Sequence, residues 1–181
     1  MNALNFIKVA LKDYKVGAIT ISSRFVVNRV LKALPPGVKN VVEYGAGNGV
    51  ITKEILKMLP SDGSLIAVEL NKELLPLLES IRDKRLRVVA KDVAEFLEES
   101  RSGNRVPADA VVSGIPFTFF PPAKRRLIVD GTHGILSAGG EFVVYQYSLL
   151  MLPILKKKFR TARIGFEFRN LPPYFIMAAK K

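Results

Sequence analysis

Val41-Val42-Glu43-Tyr44-Gly45-Ala46-Gly47-Asn48-Gly49 is a hydrophobic run that ends in a carboxylate and a turn alternating glycine with small residues, and it is the segment best suited to hold a ligand. Side chains larger than hydrogen at Gly45, Gly47 and Gly49 would block a ligand approaching the backbone there. The spacing is not the G-x-G-x-x-G of dinucleotide sites. Glu43 would repel a pyrophosphate but suits a ligand carrying an amino group and a sulfonium. The turn therefore points to S-adenosylmethionine rather than NAD.

Further along, three more segments each end a hydrophobic run on polar or small residues. Leu65-Ile66-Ala67-Val68-Glu69 puts a carboxylate about twenty residues after the glycine turn, where its two oxygens can accept from both hydroxyls of a ribose, with Leu70 beside it. In Ala90-Lys91-Asp92-Val93, Asp92 can accept from an adenine amino group while Val93 packs on the ring. Capping of the following helix by Asp92 is compatible with that role. Asp109-Ala110-Val111-Val112-Ser113-Gly114-Ile115-Pro116-Phe117 aims Ser113–Phe117 at the transferable methyl group. Here Ser113 and Ile115 are candidates to orient an acceptor through their carbonyls, and Pro116 and Phe117 to contact it. Phe119, Phe120 and Pro121 extend an apolar lip, although a buried loop would read the same way.

These residues need a scaffold that brings the ends of several strands together. From Val41 onward, short apolar runs alternate with helix-length amphipathic stretches, the pattern of a parallel sheet with crossover helices. Strands are expected at Asn40–Tyr44, Ser64–Glu69, Leu86–Ala90, Ala108–Ser113 and Gly140–Tyr147. Helices are expected at Val50–Leu59, Lys72–Arg82, Val93–Glu99, Pro122–Leu136 and Leu149–Lys157. Two extended runs, Arg163–Arg169 and Tyr174–Lys180, flank Asn170-Leu171-Pro172-Pro173 and suggest an antiparallel pair. The expectation is an α/β, Rossmann-like methyltransferase fold: a seven-stranded, mostly parallel sheet with an antiparallel C-terminal strand, helices on both faces and an N-terminal amphipathic helix. Leu34-Pro35-Pro36-Gly37 divides a helical cap, residues 1–36, from the cofactor-binding domain, residues 37–181.

Composition narrows the partners. The 181 residues suffice for one domain, and 49% hydrophobic with 24% charged residues describes a packed globular chain. There is no cysteine, which excludes disulfides and thiolate metal sites, and no metal is required. The first residues lack the uninterrupted apolar core of a secretory signal, so the cytoplasm is the expected compartment. The run Phe142–Leu155, interrupted by Gln146, Ser148 and Pro153, falls short of the roughly 20 residues that span a bilayer. Lys and Arg number 28 against 16 Asp and Glu, and a charge of +12 attracts nucleic acid or an anionic lipid surface. On a helical wheel, Ala3, Leu4, Phe6, Ile7, Ala10, Leu11 and Tyr14 fall within an arc of roughly 160° flanked by lysines. Such a helix suits a headgroup layer, or the surface of its own domain.

Taken together, the residues resemble the bacterial phospholipid N-methyltransferases, which are themselves similar to the ribosomal-RNA adenine dimethyltransferases. The resemblance rests on Gly17-Ala18-Ile19-Thr20-Ile21-Ser22-Ser23-Arg24-Phe25, the Glu43–Gly49 turn, Ser113–Phe117, Tyr145-Gln146-Tyr147-Ser148 and Arg169-Asn170-Leu171-Pro172-Pro173. It implies stepwise methylation of the amino headgroup of phosphatidylethanolamine by an enzyme peripherally bound to the membrane, with Ser22 and Ser23 near the methionine end of the cofactor. RNA dimethyltransferases carry Asn-hydrophobic-Pro-Tyr or Phe at the fourth strand, where Ser113 is expected to depart from the asparagine. That departure favours an aliphatic amine over an RNA adenine, which remains the alternative acceptor. Headgroup phosphate would fall to Arg24, Lys124, Arg125 or Arg126, although the helical three also read as a solvated face. An alkylammonium must lose a proton before attack, and Tyr14, Tyr147 and His133 are the candidates to assist, with Tyr147 preferred for its position at the strand mouth. His133, near a helix end, reads better as a surface or capping residue.

Overall fold

A computed structural model describes residues 23–102, 107–170 and 172–181; the N-terminal amphipathic pattern and Ser22 lie outside the described residues. Seven strands form one sheet: β1 (Asn40–Tyr44), β2 (Ser64–Glu69), β3 (Leu86–Ala90), β4 (Ala108–Ser113), β5 (Leu136–Gln146), β6 (Thr161–Glu167) and β7 (Tyr174–Lys180). Their order is β3-β2-β1-β4-β5-β7-β6. Neighbours from β3 to β5 are parallel, and β7 runs antiparallel to both β5 and β6. The chain order reverses at β1 and β4, so the ends of these two strands flank the crevice where ligands bind in sheets of this type.

Alternation along the central strands sorts the core into two faces, as period-two side chains require. Val41, Leu65, Ala110, Val112 and Val143 face helices α1 (Arg24–Ala33) and α2 (Val50–Met58). Val42, Val68, Val111, Phe142 and Val144 face α4 (Val93–Ser102), α5 (Pro122–Ile135) and α6 (Leu152–Lys158). Val26, Val27 and Val30 of α1 are buried in the first of these clusters, so the described part of the expected cap belongs to the core of the sheet.

Some boundaries differ from expectation for local reasons. The helix expected at Lys72–Arg82 is only α3 (Leu75–Glu79). Asn71 Oδ1 accepts from the Glu73 amide in a side-chain turn, which with Pro76 delays the helix start. In the same way Ser148 Oγ accepts from the Leu150 amide, and the last crossover helix begins at Leu152 rather than Leu149. β5 reaches back to Leu136 and stops at Gln146, leaving Tyr147 beyond the strand. β6 ends at Glu167, because the Arg169 amide turns back onto the Glu167 carboxylate.

The two segments that carried the resemblance at opposite ends of the sequence meet in space. The Ser23 amide donates to Asn170 Oδ1 at 3.2 Å, and the Arg169 guanidinium lies 3.9 Å from the Phe25 ring centroid. Glu167, its side chain fully covered, accepts from both Arg169 and Arg29, and these hydrogen bonds, that of Arg169 foremost, hold its carboxyl far below the usual range. The α1 start is thereby clamped to the β6–β7 connection.

Candidate active site

At the end of β1 the chain turns through Gly45, Gly47 and Gly49, all with positive φ. Only glycine adopts that conformation without strain. A Cβ on Gly45 would also stand 2.8 Å from Ile115, and one on Gly49 2.8 Å from Ile81, so packing within the protein demands those two. Gly47 faces open space, with nothing nearer than 4.0 Å, and is the place where a ligand can approach the backbone.

Glu69 is buried at the end of β2 and its carboxylate is fixed by backbone: Oε2 accepts from the Gly47 amide and Oε1 from the Asn71 amide, both at 2.8 Å. Two of its roughly four acceptor positions stay free for hydroxyls. A cavity opens beside it, lined by Gly45, Leu70, Asp92, Val93 and Ile115 and closed by Phe120 before α5 and by Lys124 and Ile128 of α5. Asp92 does cap α4, accepting from the Ala94 amide at 2.8 Å. Its second oxygen holds the Lys124 ammonium at 2.8 Å, which in turn lies over the Phe120 ring. Lys124 therefore sits in the cavity wall and Arg125 reaches back to the Phe117 carbonyl, so of the three only Arg126 lies on a solvated face.

Glu43 is 1% exposed, and Thr52 of α2 donates to its Oε2 at 2.6 Å while Oε1 has no partner. Burial pushes its carboxyl up to about 8, against the Thr52 hydrogen bond and with a smaller push from Glu69. A buried acid with one unpaired oxygen at the mouth of a glycine turn fits a ligand that brings positive charge. With the open backbone at Gly47 and the free acceptors of Glu69, the site fits an adenosyl sulfonium.

Past β4, the residues expected at the methyl group separate. Ser113 is fully buried and its Oγ is unpartnered. The Ile115 carbonyl accepts from the Phe117 amide at 3.0 Å, leaving one lone pair for an acceptor molecule. Pro116 is half-buried, but Phe117 is fully buried against Phe120, which makes Phe120 the ring nearer the cavity. Tyr147, 44% exposed, shares a 2.8 Å hydrogen bond with Thr118, which follows the β4 end. Arg24 is exposed at the first turn of α1, over Phe25. His133 is not brought to the site: it packs on Phe159, and burial with Lys181 and Lys158 nearby lowers its pKa.

Counting from Pro116 corrects one expectation. In Asn-hydrophobic-Pro-aromatic the asparagine stands two before the proline, which is Gly114 here and not Ser113. Sequence reasoning also passed over Thr52. Thr52 had a weak signal, a hydroxyl in the first turn of the helix that follows the carboxylate strand.

A reversed parallel sheet, a glycine turn between two buried carboxylates and a cavity across four strand ends define an S-adenosylmethionine-dependent methyltransferase of Rossmann-like fold. Residues 13–111 match the family model for ribosomal RNA adenine dimethylases, and the chain belongs to that family. It is 28% identical to an ornithine lipid N-methyltransferase of Singulisphaera acidiphila over 92% of this chain and 90% of that one. It is 30% identical to ribosomal RNA small subunit methyltransferase A of Thermotoga maritima over 66% of this chain but 40% of that enzyme. The fold superimposes on the N-methyltransferase NodS of Bradyrhizobium japonicum, solved with S-adenosylhomocysteine, at a TM-score of 0.70, 12% identity and 89% coverage of both chains.

Proposed function

We propose that this protein methylates the amino headgroup of a membrane lipid, phosphatidylethanolamine towards phosphatidylcholine, at an anionic membrane surface. The observation that carries the reading is coverage in sequence: the similarity to a lipid N-methyltransferase runs over nine-tenths of both chains, whereas three ribosomal RNA small subunit methyltransferases A are matched over 26–40% of their length.

The bound cofactor supplies an electrophilic methyl group. What remains for the protein is to bring a neutral amine in line with it and to exclude water. In this reading Glu43 and the turn of Gly45, Gly47 and Gly49 receive the methionine end, for which Ser22 and Ser23 are further candidates. Glu69 and Leu70 hold the ribose, and Asp92 and Val93 the adenine. The acceptor lies against Ser113, Ile115, Pro116 and, in place of the buried Phe117, the Phe120 ring, with its phosphate towards Arg24. Tyr147, held by Thr118, relays the proton that leaves the ammonium.

Membrane contact is assigned to the amphipathic pattern over Ala3–Tyr14 together with an exposed apolar stripe. Ile164, Phe166 and Phe168 alternate along the edge strand β6 and beyond it, 46–67% exposed, and Leu149, Leu150 and Tyr147 project beyond the end of β5. Lys156 and Lys157 of α6 are exposed on the helix that packs beside β6. Aromatic side chains with flanking cations suit a headgroup layer. Among the described residues, no helix is long and apolar enough to cross a membrane.

Sedimentation with phosphatidylglycerol-containing liposomes tests this surface. Removing residues 1–15, or changing Phe166 and Phe168 to serine, is expected to lower the bound fraction at least threefold each; unchanged binding of both variants defeats the membrane assignment. For the acceptor, methyl-labelled S-adenosylmethionine is expected to label phosphatidylethanolamine vesicles and not ribosomal RNA. Labelling of RNA alone would transfer the activity to an adenine acceptor.

A further inference from the structure

Gly114 has no backbone reason to be glycine. Its φ is outside the left-handed region, and its amide is tied into the sheet by a 3.0 Å hydrogen bond to the Tyr44 carbonyl. What it lacks is room: a Cβ there would lie 2.6 Å from Cζ of Tyr145, and closer still to the phenolic oxygen. Tyr145 is the penultimate residue of β5, paired to Ile176, and its ring leans across the sheet onto the end of β4. Tyr174 backs it at 6.2 Å, and Tyr145 is 8% exposed. A glycine just past the end of one strand thus admits a tyrosine hydroxyl from the next to the residue that follows β4.

We infer that Tyr145 is the polar contact for the acceptor amine, its phenolic oxygen taking a hydrogen bond from the nitrogen that receives the methyl group. The inference rests on the acceptor lying beside β4, as proposed above, and adds a residue to that placement. A phenol has the chemistry for such a contact, because its oxygen accepts from an ammonium or amine N–H, and the face of the ring attracts a cation whose N–H donors are progressively replaced by methyl groups. The position also matters for selectivity. The place of the asparagine side chain in the RNA enzymes' motif is filled here by a phenol delivered from β5, which leaves less width for a planar base.

Tyr145→Phe keeps the ring and its packing and removes only the hydroxyl. The full chain is assayed with labelled S-adenosylmethionine on phosphatidylethanolamine vesicles and on ribosomal RNA, and S-adenosylhomocysteine binding is measured by calorimetry. Tyr174→Phe, which removes the hydroxyl of the backing ring, is the control. The expected result for Tyr145→Phe is a tenfold or greater loss of kcat/KM on the acceptor that the unsubstituted protein labels, with the Kd for S-adenosylhomocysteine within twofold, while Tyr174→Phe keeps its activity. Tyr145→Phe with unchanged kcat/KM overturns the assignment, as does an equal loss in Tyr174→Phe. Labelling of RNA by the unsubstituted protein would defeat the lipid reading instead, and leaves the hydroxyl test valid on RNA.

Discussion

Replacing Glu43 with glutamine is expected to stabilise the fold at pH 7–8 and to weaken the cofactor. The carboxyl titrates near 8 in the folded chain, chiefly through burial, against an ordinary value of 4.5. Between those values the unfolded chain is ionised and the folded one still protonated, so stability falls as pH rises from about 4.5 to about 8 and levels off above. At pH 7 the difference amounts to about 3 kcal/mol. Glutamine never ionises, removes that slope and fills the same volume, so thermal melts at pH 7.5 should show a gain of roughly 5 °C or more. Binding should move the other way. A sulfonium and an ammonium near Glu43 favour its ionised form, so S-adenosylmethionine binding releases a proton and tightens as pH rises from 6 to 8. Calorimetry of Glu43→Gln should show a Kd raised about tenfold or more and no such pH dependence. A variant that melts like the parent at every pH would mean that Glu43 is already ionised in the folded protein.

Why Glu43 was legible and Tyr145 was not has a physical basis. An acid at the end of an apolar strand before a glycine turn has few structural reasons to be there, and Glu43, Glu69 and Asp92 all stand out in this way at successive strand ends. The strands themselves were legible because buried parallel strands read as mainly apolar runs, as in β1, β2 and β4, whereas the edge strand β3 carries Arg87 and is only partly buried. Tyr145, in contrast, sits within such a run, and a tyrosine there reads as core. Only the empty Cβ position of Gly114 shows what its hydroxyl approaches. Lys124 was hidden by its neighbours Arg125 and Arg126, because a charge run does not say which member turns inwards onto Asp92. Phe117 and Phe120 belong to one apolar lip in sequence, yet the short helical turn over Phe117–Phe119 buries the first and leaves the second at the cavity. Helix starts were displaced where Asn71 and Ser148 offered side-chain hydrogen bonds to amides two residues on, a competition that apolar periodicity does not register.

The largest loss of cofactor affinity is expected at Glu69, and the choice of substitution distinguishes why. Its two oxygens are each committed to a backbone N–H, of Gly47 and of Asn71, so the carboxylate is already oriented when the ribose arrives, with its remaining lone pairs pointing into the cavity. Alanine removes the acceptors for both ribose hydroxyls and frees the Gly47 turn. Hydrogen bonds to a charged group contribute about 1.5–3 kcal/mol each, so a Kd for S-adenosylhomocysteine raised about a hundredfold, near 2.7 kcal/mol, is a fair expectation. Glutamine has the shape of glutamate, but its NH2 group would have to face the Gly47 or the Asn71 amide, a donor against a donor. Either the glycine turn or the Asn71 turn loses its anchor, and the NH2 group cannot accept from a ribose hydroxyl. Glu69→Gln should therefore bind nearly as poorly as Glu69→Ala, and Glu69→Asp, which keeps the charge but shortens the reach, should fall between them and the parent. If glutamine bound S-adenosylhomocysteine like glutamate, shape alone would be sufficient and the carboxylate would have no part in holding the ribose.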